Sequence, residues 1–391
     1  MAHIKQVEPQ MAHIKQVSSP LLFAPATGAC SIDKIYNFGD SISDTGNLIR
    51  QGTGSTFDPI TRLPYGQTYF HKATGRCSDG LLMIDYLAMS LGLPFLNPYL
   101  DEHAPVRHGL NFAVAGATAL DKSFFTKKNI NIPYTNSSLN VQLNWFNNHL
   151  NNMCSTEQEC DDYLKNALFM VGEIGGNDYN YALFGGKSID EVKTYVPQVV
   201  DAIIGAAKTL IDNGAKQLVV PGNFPIGCMP NYLTTFHTAN DCAYDNNKCL
   251  KDFNNFAEFH NFQLQEALND LRNQYPLIKI MYADYYNAFT RLLSRAPHQG
   301  FDKNSMLKSC CGTGGEYNYK IGETCGMSDV QACSAPEKMI SWDGIHLTQA
   351  AYKALTEELI VGGATTLTMK ISGRSGLAKI CHSYIITDAE N

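Results

Sequence analysis

The chain has 391 residues, 44% of them apolar and 17% charged, with 30 Lys and Arg against 37 Asp and Glu. A charged share below the usual quarter or so, beside that much apolar side chain, excludes a disordered polypeptide. The formal net charge of −7 leaves no electrostatic footprint for a nucleic-acid backbone, so no nucleic-acid partner is expected.

At the amino terminus the heptapeptide MAHIKQV occurs twice, at 1–7 and 11–17, the mark of a tag or artefact. Residues 18–30 hold a short apolar patch broken by Pro20 and Pro25, a poor signal-peptide core or the remnant of one. Residues 1–29 are therefore set apart. Residues 30–370 read as a single domain, because no linker divides them, and 371–391 as a tail. No window of about eighteen mainly apolar residues exists, so no integral membrane span is expected.

Along the domain, short β-rich runs recur at Lys34–Gly39, Leu110–Ala115, Ala167–Gly172, Gln217–Pro221 and Ile278–Asp284. Each ends in Gly, Asp, Ala or Pro and is followed by a polar or helical stretch. Near-continuous apolar strands alternating with helices imply a parallel sheet covered on both faces. Ser188-Ile-Asp-Glu191 has the capping-box pattern and predicts a helix to about Asn213, where Gly214 stops it. In 250–273, Phe253, Phe256, His260, Leu264, Leu268 and Leu271 recur every three or four residues as one buried stripe. His260 on that stripe reads as a core histidine. Thr348–Ile360 predicts a last amphipathic helix. The fold class is a doubly wound α/β domain, in which ligands sit beyond the carboxyl ends of the strands.

Twelve cysteines exceed what a reducing cytosol usually calls for, and none stands in C-x-x-C spacing. No H-E-x-x-H or EF-hand loop occurs either, so no metal site is expected. Cys154/Cys160, Cys242/Cys249 and the group Cys310, Cys311, Cys325 and Cys333 read as loop staples of an oxidising compartment. A glycosylation sequon at Asn136-Ser137-Ser138 fits that compartment.

The first strand ends in Gly39-Asp40-Ser41-Ile42-Ser43-Asp44. Ser41 stands where a nucleophile could be presented to a helix, although an ordinary N-cap serine has the same look. Near the other end, Asp343 and His346 lie three apart in Trp342-Asp-Gly-Ile-His346. A serine hydroxyl needs a base to take its proton, and the base needs a carboxylate to hold one tautomer. Acyl transfer also needs donors for an oxyanion. Gly116 and Asn177 stand at two further strand ends that could provide them, or could merely shape their turns.

These segments together resemble the motif blocks of the GDSL (SGNH-hydrolase) esterase/lipase family in its plant form. The blocks are FGDSISDTGN, Pro64–Gly66, Thr74–Gly80, NFAVAGA, GGND, Val219–Cys228 and WDGIH, in family order from about Ile35 to Ile360. The resemblance implies a three-layer α/β/α sandwich of flavodoxin-like type around about five parallel strands. It implies Ser41, Asp343 and His346 as the catalytic residues, and Ser41, Gly116 and Asn177 as the oxyanion donors. No cofactor is implied. The texture of the chain, including Ala283–Ala288, is similar to members that remove acetyl groups from alkaloids.

The reading is thus a serine carboxylic-ester hydrolase that removes a short acyl group, such as acetyl, from a small plant metabolite. A monomer of the secretory pathway is expected. An acyltransferase using the same serine is the alternative; a broad lipase or a non-catalytic binding protein ranks lower. Phe124, Phe125, Tyr134, Tyr285 and Tyr286 either line a pocket for a ring-rich substrate or fill the core. Among the remaining histidines, which include His71 and His237, His108 is the one rival base. No G-x-S-x-G, phosphate loop or dinucleotide fingerprint competes with this reading.

Overall fold

The computed structural model describes residues 32–52 and 58–361. The proposed segments 1–29 and 371–391 lie outside them. Five short strands, β1 (Lys34–Asn37), β2 (Gly109–Asn111), β3 (Ala167–Met170), β4 (Gln217–Pro221) and β5 (Lys279–Ala283), form one parallel sheet in the order 2-1-3-4-5. Register pairs Tyr36 with Leu110 on one side and with Phe169 on the other, and Leu218 with Ile280 further along.

Helices α1 (Met83–Ser90), α2 (Lys122–Lys127), α3 (Leu139–Met153), α4 (Glu157–Leu164), α5 (Gly176–Phe184) and α6 (Ile189–Lys193) follow in chain order. They continue with α7 (Val196–Asp212), α8 (Pro230–Thr235), α9 (Lys251–Gln274), α10 (Tyr285–Arg295) and α11 (Gln349–Val361). One group packs α3 on α7 and α7 on α9; another packs α1 and α10 on α11. Sheet and helices make the three-layer α/β/α sandwich that the sequence implied. No helix among the described residues is long and apolar enough to cross a membrane.

The core is aromatic beneath β1. Tyr36, Phe38, Phe112, Phe146 and Phe169 are all buried and meet at ring separations of 5.1–6.4 Å. Aromatic pairs of this kind add to the apolar area that they bury.

Three differences from the sequence reading have local causes. The expected second strand runs only to Asn111, because the chain then leaves β1 proper to follow the loop beyond it. Phe112 N–H still donates to the Asn37 carbonyl at 2.7 Å and Val114 N–H to Gly39 at 3.1 Å. The single helix expected from 188 is two, α6 and α7. Pro197 lacks an N–H and suits only the opening turn of a helix, so the chain restarts there. Cys242 does not bridge Cys249: Cys249 bonds Cys228, and Cys242 is a free, exposed thiol. Leu250 N–H donates to the Gly227 carbonyl at 2.9 Å, which brings residues 228 and 249 to a Cα separation of 4.4 Å. The other staples form as Cys154–Cys160, Cys310–Cys333 and Cys311–Cys325.

Candidate active site

In this strand order the sheet changes direction between β1 and β3, and a crevice opens where the loops after those strands part. Ser41 lies on the first of them. Gln142 of α3 clasps the loop at Gly39, accepting its N–H at 2.9 Å and donating to its carbonyl at 2.8 Å. The buried carboxylate of Asp44 accepts N–H groups from Gly46, Asn47, Leu48 and Ala115 at 2.6–3.0 Å. Asn37, Asn47 and Asn111 add a closed network, with Asn47 Nδ2 reaching the carbonyls of Asn111 and Ala113 at 2.8 Å each. Such satisfied buried networks fix a backbone tightly.

The turn Trp342–His346 leads into α11. His346 Nε2 lies 2.8 Å from Ser41 Oγ, and its Nδ1 lies 2.7 Å from Asp343 Oδ2. The carboxylate accepts a hydrogen bond from Nδ1–H, so Nε2 faces the serine hydroxyl as an acceptor. Tyr65 donates to the same Asp343 oxygen at 2.8 Å, while the other oxygen accepts the N–H groups of Ile345 and His346 at 3.0 and 2.8 Å. Gly344 has φ +96°, and a Cβ there would lie 2.3 Å from the Tyr319 ring. Only glycine lets this turn close.

Burial by itself would lower the His346 pKa, but the Asp343 carboxylate outweighs it and holds the imidazole well above its ordinary 6.5. Burial would likewise raise the Asp343 pKa, and the imidazole with two backbone N–H groups brings it below its usual value. The buried thiol of Cys77 lies beside His346, and desolvation raises its pKa so that it stays neutral.

On the opposite side, the N–H groups of Ser41 and Gly116 have no hydrogen-bond partner among the described residues. Gly116 has φ +82°, and a Cβ there would lie 2.8 Å from Tyr134 Cβ. Tyr181 donates to the Gly116 carbonyl at 2.7 Å, and buried Asp178 accepts from Ala119 and Leu120 at 2.8 and 3.0 Å. The segment after β2 is thereby tied to α5, where Asn177 occupies the first turn. Asn177 Nδ2 donates at 3.0 Å both to Asp40 Oδ2 and to the Ala117 carbonyl.

Two clefts flank Ser41 and share the rim residue Ile345. One, of about 480 Å³, is bounded by Ser41, Asn177, Asn180, Asn223, Phe224 and Tyr232. The other, of about 470 Å³, is bounded by His346, Asp343, Ile60, Tyr65, Tyr134 and Tyr319.

The structure therefore gathers Ser41, Asp343 and His346 into one hydrogen-bonded chain, with Gly116 and Asn177 on adjoining loops. His108 is elsewhere: its Nδ1 lies 3.0 Å from the Asp33 carbonyl, beside the amino end of β1 and away from Ser41. His260 is a buried core residue bonded to the Tyr179 hydroxyl at 2.7 Å, its pKa pushed down by burial to about 3. Of the aromatics singled out from the sequence, Tyr134 lines a cleft, Phe125 is core, and Tyr285 packs on Phe224. Sequence reasoning attached no role to Tyr65, Asp44, Asp178 or Glu173. All four sit inside or beside the motif blocks, which was the available signal.

Comparison with known proteins agrees with this geometry. The sequence profile of the GDSL-like lipase/acylhydrolase family matches residues 35–359. Acetylajmalan esterase of Rauvolfia serpentina is 46% identical over 88% of this chain and 90% of its own length. Sinapine esterase of Brassica napus is 45% identical over 85% and 86%, and a GDSL esterase/lipase of Arabidopsis thaliana 46% identical over 84% of each. The chain belongs to the GDSL-like lipase/acylhydrolase family and is a carboxylic-ester hydrolase of plant type.

Proposed function

We propose that this enzyme removes a short acyl group, acetyl in the simplest case, from a ring-bearing plant metabolite such as an alkaloid. The observation that carries the reading is the unbroken chain from Ser41 Oγ through His346 to Asp343, beside two unpartnered N–H groups. In this mechanism His346 takes the Ser41 proton as Oγ attacks the ester carbonyl. The N–H groups of Ser41 and Gly116 receive the oxyanion, joined by Asn177 once its amide turns. His346 then protonates the leaving alcohol and activates water, while Asp343 steadies the imidazolium.

The leaving oxygen must lie within reach of His346. The tyrosine-lined cleft on that side therefore takes the alcohol, and the cleft beyond Asn177 takes the acyl group. Aromatic walls suit a ring-rich alcohol, and the names of two relatives, acetylajmalan esterase and sinapine esterase, point to esters of that size. The four disulfides among the described residues support passage through the secretory pathway, exposed Asn136 is the proposed glycosylation site, and a monomer is the proposed state.

The test combines a fluorophosphonate probe with an acetate ester. Hydrolysis together with an adduct on Ser41 is expected. A folded protein that gives neither would defeat the assignment, and an adduct without hydrolysis would move it to acyl transfer.

A further inference from the structure

Asp40 and Glu173 bring two carboxyl groups into contact beside Ser41. Both are almost fully buried and both line the cleft beyond Asn177. The Glu173 carboxyl lies beside that of Asp40 in the cleft lining and close to Gly176, where an added Cβ would meet its Oε1 at 2.9 Å. Asp40 Oδ1 accepts from the Ile42 N–H at 2.9 Å, and its Oδ2 accepts from Asn177 Nδ2 at 3.0 Å. Among the described residues neither carboxyl pairs with Lys or Arg. The titratable groups around the pair are His346, Asp44, Asp178 and the hydroxyls of Tyr179, Tyr181, Tyr285 and Tyr352.

Two carboxylates cannot both stay charged in contact in a dry site, so the pair keeps a proton. Asp40 has the two N–H donors and the nearer imidazole, which favour its charged form. Glu173 faces the carboxyl groups of Asp40 and Asp178. Burial, then Asp40, push the Glu173 pKa well above its usual range, while burial brings Asp40 to about 6. The proton belongs on Glu173.

We propose that Glu173 is a positioning residue of the oxyanion site: protonated, it donates to Asp40 and so fixes the carboxylate that holds the Asn177 amide beside Ser41. Both protons of that amide are engaged in the resting enzyme, one by Asp40 and one by the Ala117 carbonyl. A carboxylate already shared with Glu173 binds the amide less tightly than an isolated one. It can therefore yield the amide N–H as a hydrogen-bond donor to a developing oxyanion without losing its own orientation.

The inference rests on the esterase reading, and Glu173→Gln and Glu173→Ala test it. Gln keeps a neutral donor to Asp40; Ala removes it. In an acetate-ester assay Ala should lower kcat on the order of 10- to 100-fold with KM little changed, less than outright loss of an oxyanion donor. Gln should restore most of the lost rate. Infrared spectra of the wild-type enzyme at neutral pH should contain a protonated-carboxyl C=O stretch that Glu173→Gln lacks. Unchanged kcat in Glu173→Ala, equal impairment of two folded variants, or absence of that band would each overturn the inference alone. A wild-type protein without turnover would instead overturn the esterase reading and the inference with it.

Discussion

His346 meets opposite demands, burial against charge, and the outcome sets a pH dependence. Only the neutral imidazole can take the Ser41 proton. Because Asp343 holds the pKa above 6.5, activity should rise with pH beyond that value instead of levelling off there. Asp343→Asn should move the acid limb downward and, by favouring the wrong tautomer, lower kcat by about 10⁴-fold. A pH–rate profile of both proteins checks the two effects together. Ser41→Ala and His346→Ala should each cost on the order of 10⁴-fold or more in kcat while leaving the melting temperature within a few degrees. The three catalytic candidates were legible because each sits in a motif with a chemical reason for its residue type. Tyr65 was not, since nothing in a Pro-Tyr-Gly turn reveals that its hydroxyl meets a carboxylate 278 residues away.

At the scale of elements, the loop after β1 is held by the Asp44 carboxylate as well as by apolar packing. Asp44→Ala would strand N–H groups on two separate segments. Each buried orphan costs about 1–3 kcal/mol, so the loss of stability should be at least about 3 kcal/mol, read by urea unfolding. Asp44→Glu cannot stand in for it without shifting the loop. The sheet was readable from apolar runs because strands covered on both faces carry no polar alternation to confuse them. The ends of elements were harder to place. The α6–α7 break was written in Pro197, but the capping signal at Ser188 dominated the reading, and Ser188 does cap, accepting the Glu191 N–H at 3.2 Å. The Cys228–Cys249 bridge depended on where a loop folds back, which spacing along the chain does not encode.

Across the whole molecule, the turn that presents His346 leans on a disulfide-bound segment. Cys310 N–H donates to the Ser341 carbonyl at 3.0 Å and Cys311 N–H to Trp342 at 2.6 Å, directly before Asp343. Cys310–Cys333 and Cys311–Cys325 close loops of 23 and 14 residues around that support. Reduction should therefore abolish ester hydrolysis at reductant concentrations that leave far-ultraviolet circular dichroism nearly unchanged, because the sheet lies elsewhere in the chain. Simultaneous loss of both signals would show that the staples hold the whole domain. The same layout governs biosynthesis. Ser41 and His346 are 305 residues apart, so the proposed nucleophile emerges from the ribosome long before its proposed base. A nascent or prematurely terminated chain carries a serine with nothing to activate it. On the proposed mechanism, hydrolysis should begin only once the last helix has been made and docked, leaving unfinished copies silent toward the esters of the cell that makes them.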